Sequence, residues 1–237
     1  MQAVILAGGK GTRLGIDTKL IPKPMVKIGN KPILWHLLQI LSFNGINNFI
    51  ICGGFKGSVI KNYVDKIKVK KKWNIEYVST GLHSNTAKRI GKIENKINNN
   101  IFLMTYGDGL ADIDIRQLVK FHKKHKKLAT VTVVPQPPRF GSLKIKKGLV
   151  KKFDEKKINL NQLINGGFFI LDKKIFKKLN LKKNVMWENE PMKKLVQMKQ
   201  LAAYLHKGFW QPMDTPRDKE YLIKIFKSKK ISSWRAQ

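Results

Sequence analysis

The sequence predicts a single α/β domain whose mostly parallel sheet is flanked by helices. Short apolar runs end at glycines, as residues 3–7 do at Gly8, which is typical of buried strands. Segments with apolar residues at helical spacing separate these runs, and this alternation favours parallel neighbours. No repeat and no long linker interrupts the chain, so one domain is expected to span residues 1–237.

The first part of the chain, residues 1–134, alternates predicted strands with predicted helices. Apolar runs predict strands at residues 3–7, 48–52, 73–79, 101–106 and 128–134. Helical spacing predicts helices at residues 31–44, 56–66 and 114–126, and residues 80–89 are interpreted as a polar loop. Asp114 is expected to cap the third helix, because its carboxylate can accept a hydrogen bond from a free backbone N–H.

The second part, residues 135–237, is richer in strands and less regular. Pro135, Pro137 and Pro138 break the preceding strand. Two short β-type runs around Gly148 predict a hairpin of residues 141–145 and 149–153. The remaining predicted elements are strands at residues 163–171 and 201–205 and helices at residues 189–198 and 216–228.

Charge and composition exclude several classes of protein. The net charge of +33 comes almost wholly from lysines spread along the chain, whereas a nucleic-acid site more often clusters arginine with exposed aromatics. We therefore expect no nucleic-acid partner. The chain has no apolar run of about 18 residues and no recognisable signal peptide, so we expect neither a membrane span nor export.

Cysteine and histidine usage give little sign of redox or zinc chemistry. Cys52 is the only cysteine, so no intrachain disulfide can form, which fits a cytoplasmic location, and it is expected to be a core residue. The histidines show no metal-ligand spacing with Cys or Glu. His122 and His125 lie on a lysine-rich predicted helix and are expected at the surface.

A glycine loop after the first strand predicts a phosphate cradle. Gly8, Gly9 and Gly11 let backbone N–H groups approach an anion, and Arg13 and Lys23 add cations beside them. The spacing matches neither GxxxxGK[ST] nor GxGxxG, so the P-loop and the dinucleotide fingerprint do not apply. A tight turn without a ligand is the alternative for the glycines alone.

Two carboxylates follow strands near such a cradle. Asp108 lies just past the strand at residues 101–106, and Asp214 lies between a predicted strand and the last helix. Ligands bind beyond the carboxyl ends of strands in open α/β sheets, and such carboxylates can hold Mg²⁺ beside a triphosphate. Alternatively, Asp108 is a turn residue and Asp214 caps the helix.

The motifs LAGGKGTRL and PKPM closely resemble the N-terminal signature of the sugar-1-phosphate nucleotidyltransferases. GNKPILWH, TYGDG, RFGSL, INGGFF and GFWQPMDTPRDK follow in that family's order and cover nearly the whole chain. The last motif, with WENEP before it, is most similar to the glucose-1-phosphate cytidylyltransferase branch. The resemblance implies the nucleotide-diphospho-sugar transferase fold, in which a Rossmann-like sheet is mixed and mostly parallel. It also implies that residues 1–134 hold the nucleotide and residues 135–237 the sugar phosphate.

The resemblance also implies a reaction and roles for residues. The branch converts CTP and α-D-glucose 1-phosphate into CDP-glucose and pyrophosphate with Mg²⁺, for dideoxysugars of surface polysaccharides such as lipopolysaccharide O-antigen. Implied catalytic residues are Arg13, Lys23, Asp108 and Asp214, the last two holding Mg²⁺. Implied nucleotide-binding residues are Leu6, Ala7, Gly8, Gly9, Lys10, Gly11, Thr12, Arg13, Lys23, Thr80, Gly81, Ser84, Thr86, Arg89 and Gly107. Implied sugar-phosphate-binding residues are Glu155, Lys156, Asn165, Gly166 and Gly167.

The sequence departs from the family pattern in two places. Lys157 replaces the proline of the family's Glu-Lys-Pro element. As an alternative to binding the sugar phosphate, residues 153–156 form a charged hairpin end and Asn165 to Gly167 form a β-bulge. The segment between Tyr63 and Thr80 is shorter than in the branch, whose members form homo-oligomers. A nucleotidyltransferase using dTTP, UTP or GTP or another sugar, and a catalytically silent nucleotide-sugar-binding domain, therefore remain alternatives.

Overall fold

A computed structural model describes residues 1–15, 18, 20–70, 72–137, 141–155 and 159–228. Its strands are β1 (Gln2–Ala7), β2 (Lys27–Ile28), β3 (Lys31–Pro32), β4 (Asn48–Gly53), β5 (Asn74–Ser79), β6 (Ile101–Tyr106), β7 (Gly109–Ala111), β8 (Ala129–Gln136), β9 (Ser142–Lys146), β10 (Leu149–Asp154), β11 (Asn159–Asp172), β12 (Leu201–Leu205) and β13 (Trp210–Pro212). Its α-helices are α1 (Ile33–Phe43), α2 (Gly57–Lys70), α3 (Thr86–Gly91), α4 (Ile115–His125), α5 (Ile175–Lys178), α6 (Glu190–Gln197) and α7 (Pro216–Lys227).

A seven-stranded sheet forms the centre of the domain, in the order β12-β8-β11-β6-β1-β4-β5. Strand β1 pairs in parallel with β4 and β6, β4 with β5, and β8 with β12, whereas β11 runs antiparallel to both β6 and β8. The predicted class, a single α/β domain with a mostly parallel sheet, is confirmed. Because only β11 is reversed, its first half meets the carboxyl ends of its neighbours at one edge of the sheet.

The sheet is buried on both faces, and each face has its own core. Along β1, Ala3 and Ile5 belong to the first core, with α1, α2 and α7, while Val4 and Leu6 belong to the second, with α3, α5 and α6. This alternation follows from the two-residue period of a strand. Cys52 lies in the second core with no exposed surface, as expected of a core residue.

The predicted hairpin is confirmed as β9 and β10, which pair in antiparallel fashion. Lys147 and Gly148 form its turn with φ values of 52° and 75°, the left-handed conformation that suits a two-residue hairpin. The register shifts between Val150 and Lys152. The hairpin strands are exposed except at Asp154, and their exposed side chains include the apolar Ile145 and Phe153.

Two local expectations are wrong. Residues 80–89 are not loop throughout, because Thr86 begins α3, whose Ala87 and Ile90 are buried in the second core. His122 is not at the surface: it is 4% exposed, and its Nδ1 lies 2.9 Å from the hydroxyl of Thr130. Burial lowers the pKa of His122. The N-cap prediction for α4 is confirmed, since the Asp114 carboxylate accepts a hydrogen bond from the Gln117 N–H.

Among the described residues, no helix has both the length and the apolar character needed to cross a membrane.

Candidate active site

A cleft of about 1190 Å³ opens at the carboxyl edge of the parallel strands. The loops that follow β1 and β6, the first half of β11, and the segment from β13 into α7 form its walls. This is where ligands bind in open α/β sheets. Predicted site residues that line the cleft are Leu6, Ala7, Gly8, Gly9, Gly11, Thr12, Arg13, Lys23, Ser84, Thr86, Arg89, Gly107, Asp108, Asn165, Gly166, Gly167 and Asp214.

Arg13, Lys23, Asp108 and Asp214 form what we call the charged cluster. Lys23 is only 7% exposed and lies on a short 3₁₀ turn, Lys23–Met25, whose Pro24 fixes the backbone. Its Nζ lies 2.5 Å from Asp108 Oδ2 and 2.6 Å from Asp214 Oδ1. The Arg13 guanidinium lies 3.0 Å from the same oxygen of Asp214. The cluster thus brings together three segments that are distant in the chain, around Lys23, Asp108 and Asp214.

Backbone hydrogen bonds connect the segments that carry the two carboxylates. The Gly107 N–H donates to the Leu6 carbonyl at 3.0 Å, and the Met213 N–H donates to the Asp108 carbonyl at 2.9 Å. The N-cap of α7 is Thr215, which forms a capping box with Asp218. Asp214 is therefore not the helix cap, and its carboxylate faces the cations of the charged cluster.

The two carboxylates can hold a magnesium ion. One ammonium group contacts both, so the two oxygens lie close enough to share a single cation. Mg²⁺ is commonly bound by one or two carboxylates together with substrate phosphates. In the described ranges, no group of three or more His, Cys, Asp or Glu side chains is placed to hold a metal, so a metal here would rely on the substrate for further ligands.

Arg89 holds the glycine loop from behind. It is 4% exposed, and its guanidinium donates to the carbonyls of Gly8 and Gly53, both at 3.0 Å, and to the Thr80 hydroxyl at 2.6 Å. A Cβ on Gly8 would lie 2.2 Å from the Arg89 Nη1, so any larger residue there would displace the guanidinium. Burial lowers the pKa of Arg89.

Thr86, Tyr106, Asn165 and Glu188 form a second group, which we call the hydroxyl cluster. The Tyr106 hydroxyl donates to Glu188 Oε1, and the Thr86 hydroxyl donates to Glu188 Oε2 at 3.1 Å. Tyr106 also shares a hydrogen bond with Asn165, and burial together with Glu188 raises the pKa of Tyr106. The WENEP motif indicates the family but predicts no role for Glu188, because its partners Tyr106 and Thr86 lie far away along the chain.

The two clusters are built from opposite cores of the domain. Met213, next to Asp214, belongs to the first core, whereas Trp187, next to Glu188, belongs to the second. Between them Gly166 and Gly167 line the cleft, and the Trp210 indole N–H donates to the Gly166 carbonyl at 2.7 Å. Gly167 has a φ of 79° and faces the ring of Tyr106.

Some predicted site residues lie outside the cleft lining. Thr80 is fully buried, and the Gly81 carbonyl accepts from Arg89 at 2.9 Å. Lys10 is exposed on the glycine loop, and Glu155 is exposed at the end of β10. Lys156 lies outside the described residues.

Comparisons with known proteins identify the family of the chain. Residues 2–221 match the family model described as nucleotidyl transferase. Glucose-1-phosphate cytidylyltransferase from Salmonella typhimurium is 45% identical, over 94% of this chain and 94% of that protein. A probable glucose-1-phosphate cytidylyltransferase from Bacillus subtilis is 41% identical, over 91% and 92%. The crystal structure of HddC from Yersinia pseudotuberculosis complexed with GMP-PN is 26% identical and superimposes with a TM-score of 0.75, covering 95% of this chain and 99% of that one. The family expected from the sequence motifs is thereby confirmed, and the chain belongs to the nucleotidyl transferase family.

Proposed function

We propose that the protein transfers a cytidylyl group from CTP to α-D-glucose 1-phosphate, giving CDP-glucose and pyrophosphate. The proposal rests on the likeness to proteins named glucose-1-phosphate cytidylyltransferase. The observation that carries it is the contact of Lys23 with both Asp108 and Asp214 inside a cleft lined by glycines. Such a cluster suits a reaction in which phosphate groups and a divalent cation must be held together.

The chemistry requires no general base from the protein. A phosphate monoester has a second pKa of about 6, so the sugar phosphate is largely dianionic at neutral pH. One of its oxygens attacks the α-phosphorus of CTP, a new P–O bond forms, and the bond to the pyrophosphate leaving group breaks. The residues contribute by holding the reactants in line and by balancing charge. When bound by Asp108 and Asp214, Mg²⁺ would neutralise part of the phosphate charge.

We assign the nucleotide to residues 1–134. The glycine loop from Gly8 to Arg13, with Lys10 and Thr12, would hold the triphosphate, and Lys23 would neutralise charge during the transfer. Ser84 and Thr86 line the cleft and would meet the base. Thr80, Gly81 and Arg89 would support this region from behind, since Arg89 binds both Thr80 and the glycine loop.

We assign the sugar phosphate to residues 135–237. Asn165, Gly166 and Gly167 line the cleft on β11, where the absence of a Cβ in the two glycines allows close approach of a ligand. Glu155 and Lys156 complete the proposed set. The use of Mg²⁺, homo-oligomeric assembly, a cytoplasmic location and a role in lipopolysaccharide O-antigen synthesis stay predictions.

Transfer of a different nucleotidyl group is the second candidate. It is favoured by the structural likeness to HddC complexed with GMP-PN, at 26% identity. A catalytically silent nucleotide-sugar-binding domain is less well supported, because the charged cluster keeps both carboxylates and both cations.

Pyrophosphate release tests the proposal directly. The protein would be supplied with Mg²⁺, glucose 1-phosphate and, in parallel, CTP, UTP, dTTP, GTP or ATP. Release with CTP alone is expected. Release only with another nucleotide would keep the reaction and overturn the choice of base. If a panel of sugar phosphates gave no release with any nucleotide, the silent binding domain would be the better conclusion.

A further inference from the structure

Glu188 is a carboxylate in a cleft that otherwise suits polyanions. It lines the cleft and is half-buried. Within the described part of the chain its side chain contacts two hydroxyl groups, those of Tyr106 and Thr86, and no cation. The neighbouring acid of the same motif differs, since Glu190 pairs with Lys183 at 2.8 Å and its side chain is 58% exposed. A carboxylate that has no cationic partner among the described residues suits a ligand that donates hydrogen bonds.

Hydrogen bonds fix the Glu188 carboxylate but leave some of its acceptor sites unused. Tyr106 holds Oε1 and Thr86 holds Oε2, and the Thr86 hydroxyl is itself fixed by the Trp187 N–H at 2.6 Å. Trp187 is fully buried. An ionised carboxylate has about four lone-pair sites, of which these contacts use two. The remaining sites can accept from a ligand without any rearrangement of the side chain.

Glu188 contacts both sides of the cleft: its partner Thr86 is assigned to the base, and its partner Tyr106 adjoins the stretch assigned to the sugar phosphate. Its neighbour Tyr106 contacts Asn165 by a hydrogen bond. A Cβ on Gly167 would lie 2.9 Å from the Tyr106 ring, so Tyr106 packs against the same stretch of β11. That stretch is the one assigned to the sugar phosphate. Since a negative charge repels phosphate and attracts hydroxyl protons, Glu188 would favour the hexose ring and leave the phosphate for Lys23.

We infer that Glu188 is a specificity-determining residue, which selects the sugar by accepting hydrogen bonds from hydroxyl groups of the hexose ring. This inference rests on the proposed function, because it requires a sugar 1-phosphate in the cleft. A site built to bond a hydroxyl discriminates strongly against an analogue that lacks it, because the polar group of the site loses its partner.

The test compares Glu188→Gln with Glu190→Gln, a matched change two residues away and outside the cleft lining. For each protein, KM for glucose 1-phosphate and for CTP would be measured, together with kcat/KM for the 2-, 3-, 4- and 6-deoxy analogues of glucose 1-phosphate. In Glu188→Gln, KM for glucose 1-phosphate should rise about 10- to 100-fold, in line with loss of a hydrogen bond to a charged acceptor. KM for CTP should stay within about 2-fold, since the Trp187 N–H still holds the Thr86 hydroxyl in place. The wild type and Glu190→Gln should reject at least one deoxy analogue that Glu188→Gln accepts almost as well as glucose 1-phosphate.

Other outcomes would overturn the inference. A changed KM for CTP, or a changed preference between CTP and UTP, would assign Glu188 to the base. Equal kinetics for the two Gln variants would remove any role in binding. If Glu188→Gln lost its native circular dichroism spectrum, Glu188→Asp would be used instead. Wild-type discrimination between the deoxy analogues in a folded Glu188→Asp would support the charge as the determinant. Complete loss of that discrimination together with lower thermal stability would make Glu188 structural.

The proposed function fails in a different way. It fails if the wild type releases no pyrophosphate from CTP and glucose 1-phosphate. Calorimetric titration of the wild type and both variants with glucose 1-phosphate alone measures Kd for the sugar phosphate in the absence of turnover. Weaker binding by Glu188→Gln than by Glu190→Gln would support the inference, and equal binding would contradict it.

Discussion

The charged cluster and the hydroxyl cluster meet at the same cleft, but they are held in different ways. In the charged cluster, Lys23 and Arg13 neutralise Asp108 and Asp214 through ion pairs. In the hydroxyl cluster, one carboxylate takes hydrogen bonds from two neutral hydroxyls. The ion pairs can exchange partners when a metal and phosphates bring the same kinds of charge, whereas the hydroxyl cluster offers unused acceptor sites. The first cluster is suited to charge balance and the second to recognition.

The largest effect is expected at Asp108 and Asp214, the carboxylates proposed to bind the metal. Asp108→Asn should lower metal-dependent turnover by about 10³-fold, because a bound cation supplies several kcal/mol of stabilisation in such reactions. The change should leave the discrimination between hexoses intact. Turnover against Mg²⁺ concentration is the measurement, with Asp65→Asn, a change outside the cleft on α2, as control. Wild-type turnover in Asp108→Asn would show that Asp108 holds no metal.

Lys23→Ala should have the next largest effect. Turnover should fall about 10²- to 10³-fold with a smaller change in KM, since Lys23 would stabilise charge that develops during the transfer. Steady-state kinetics with CTP would be compared with those of Lys27→Ala, an exposed lysine on β2. A rise in KM for CTP with kcat unchanged would mean that Lys23 only binds the nucleotide.

A smaller effect should follow from Thr215→Ala, which removes the cap of the helix beside the charged cluster. The Thr215 hydroxyl accepts from the Asp218 N–H at 3.3 Å. Loss of such a cap costs about 1 kcal/mol of the free energy of unfolding. In thermal unfolding this corresponds to a fall in Tm of roughly 2–4 °C for a chain of this size. An unchanged Tm would mean that Pro216 and the charged cluster hold the start of α7 without the cap.

The smallest effect concerns His206, which lies outside the cleft lining and four residues before β13. Burial alone would lower its pKa, but hydrogen bonds to Asp112 and to the Phe209 carbonyl raise it above the ordinary value of 6.5. The charged pair therefore stabilises the fold below pH 6.5, and this contribution is lost as the pH rises through the raised pKa.

Denaturant unfolding of the wild type and of Asp112→Asn, at several pH values, isolates this contribution. His36 and His122 are buried with lowered pKa values and act in the opposite direction, since acid must protonate them. They are common to both proteins, so the difference between the two curves reports on the Asp112–His206 pair. The difference should shrink as the pH rises, and a difference that does not change with pH would contradict the shift.

The sequence was sufficient where a local pattern determines the structure. Six of the seven strands of the main sheet lie within two residues of their predicted bounds, because apolar runs such as Ile101–Tyr106 are buried on both faces. The seventh, β11, begins four residues before its predicted start at Leu163. His122 was misplaced although a signal existed. It lies four residues after Leu118 and seven after Ile115, so all three share the buried face of α4.

The rest depended on contacts between segments that are distant in the chain. Nothing near Arg89 in sequence indicates that its guanidinium binds the Gly8 carbonyl, which is 81 residues away. The Tyr106–Glu188 contact spans 82 residues. The family resemblance located the cleft and the charged cluster, but only the folded chain brings together the hydroxyl cluster.

The single cysteine makes the chain convenient for site-specific spectroscopy. Cys52 has no exposed surface, and burial raises the pKa of its thiol to about 12, so almost no reactive thiolate is present at neutral pH. A fluorophore or spin label with a maleimide group should therefore leave the native protein unmodified. Cysteines introduced on α7 and on the β9–β10 hairpin could be labelled without first removing Cys52, and the distance between the labels could be followed as nucleotide and sugar phosphate are added.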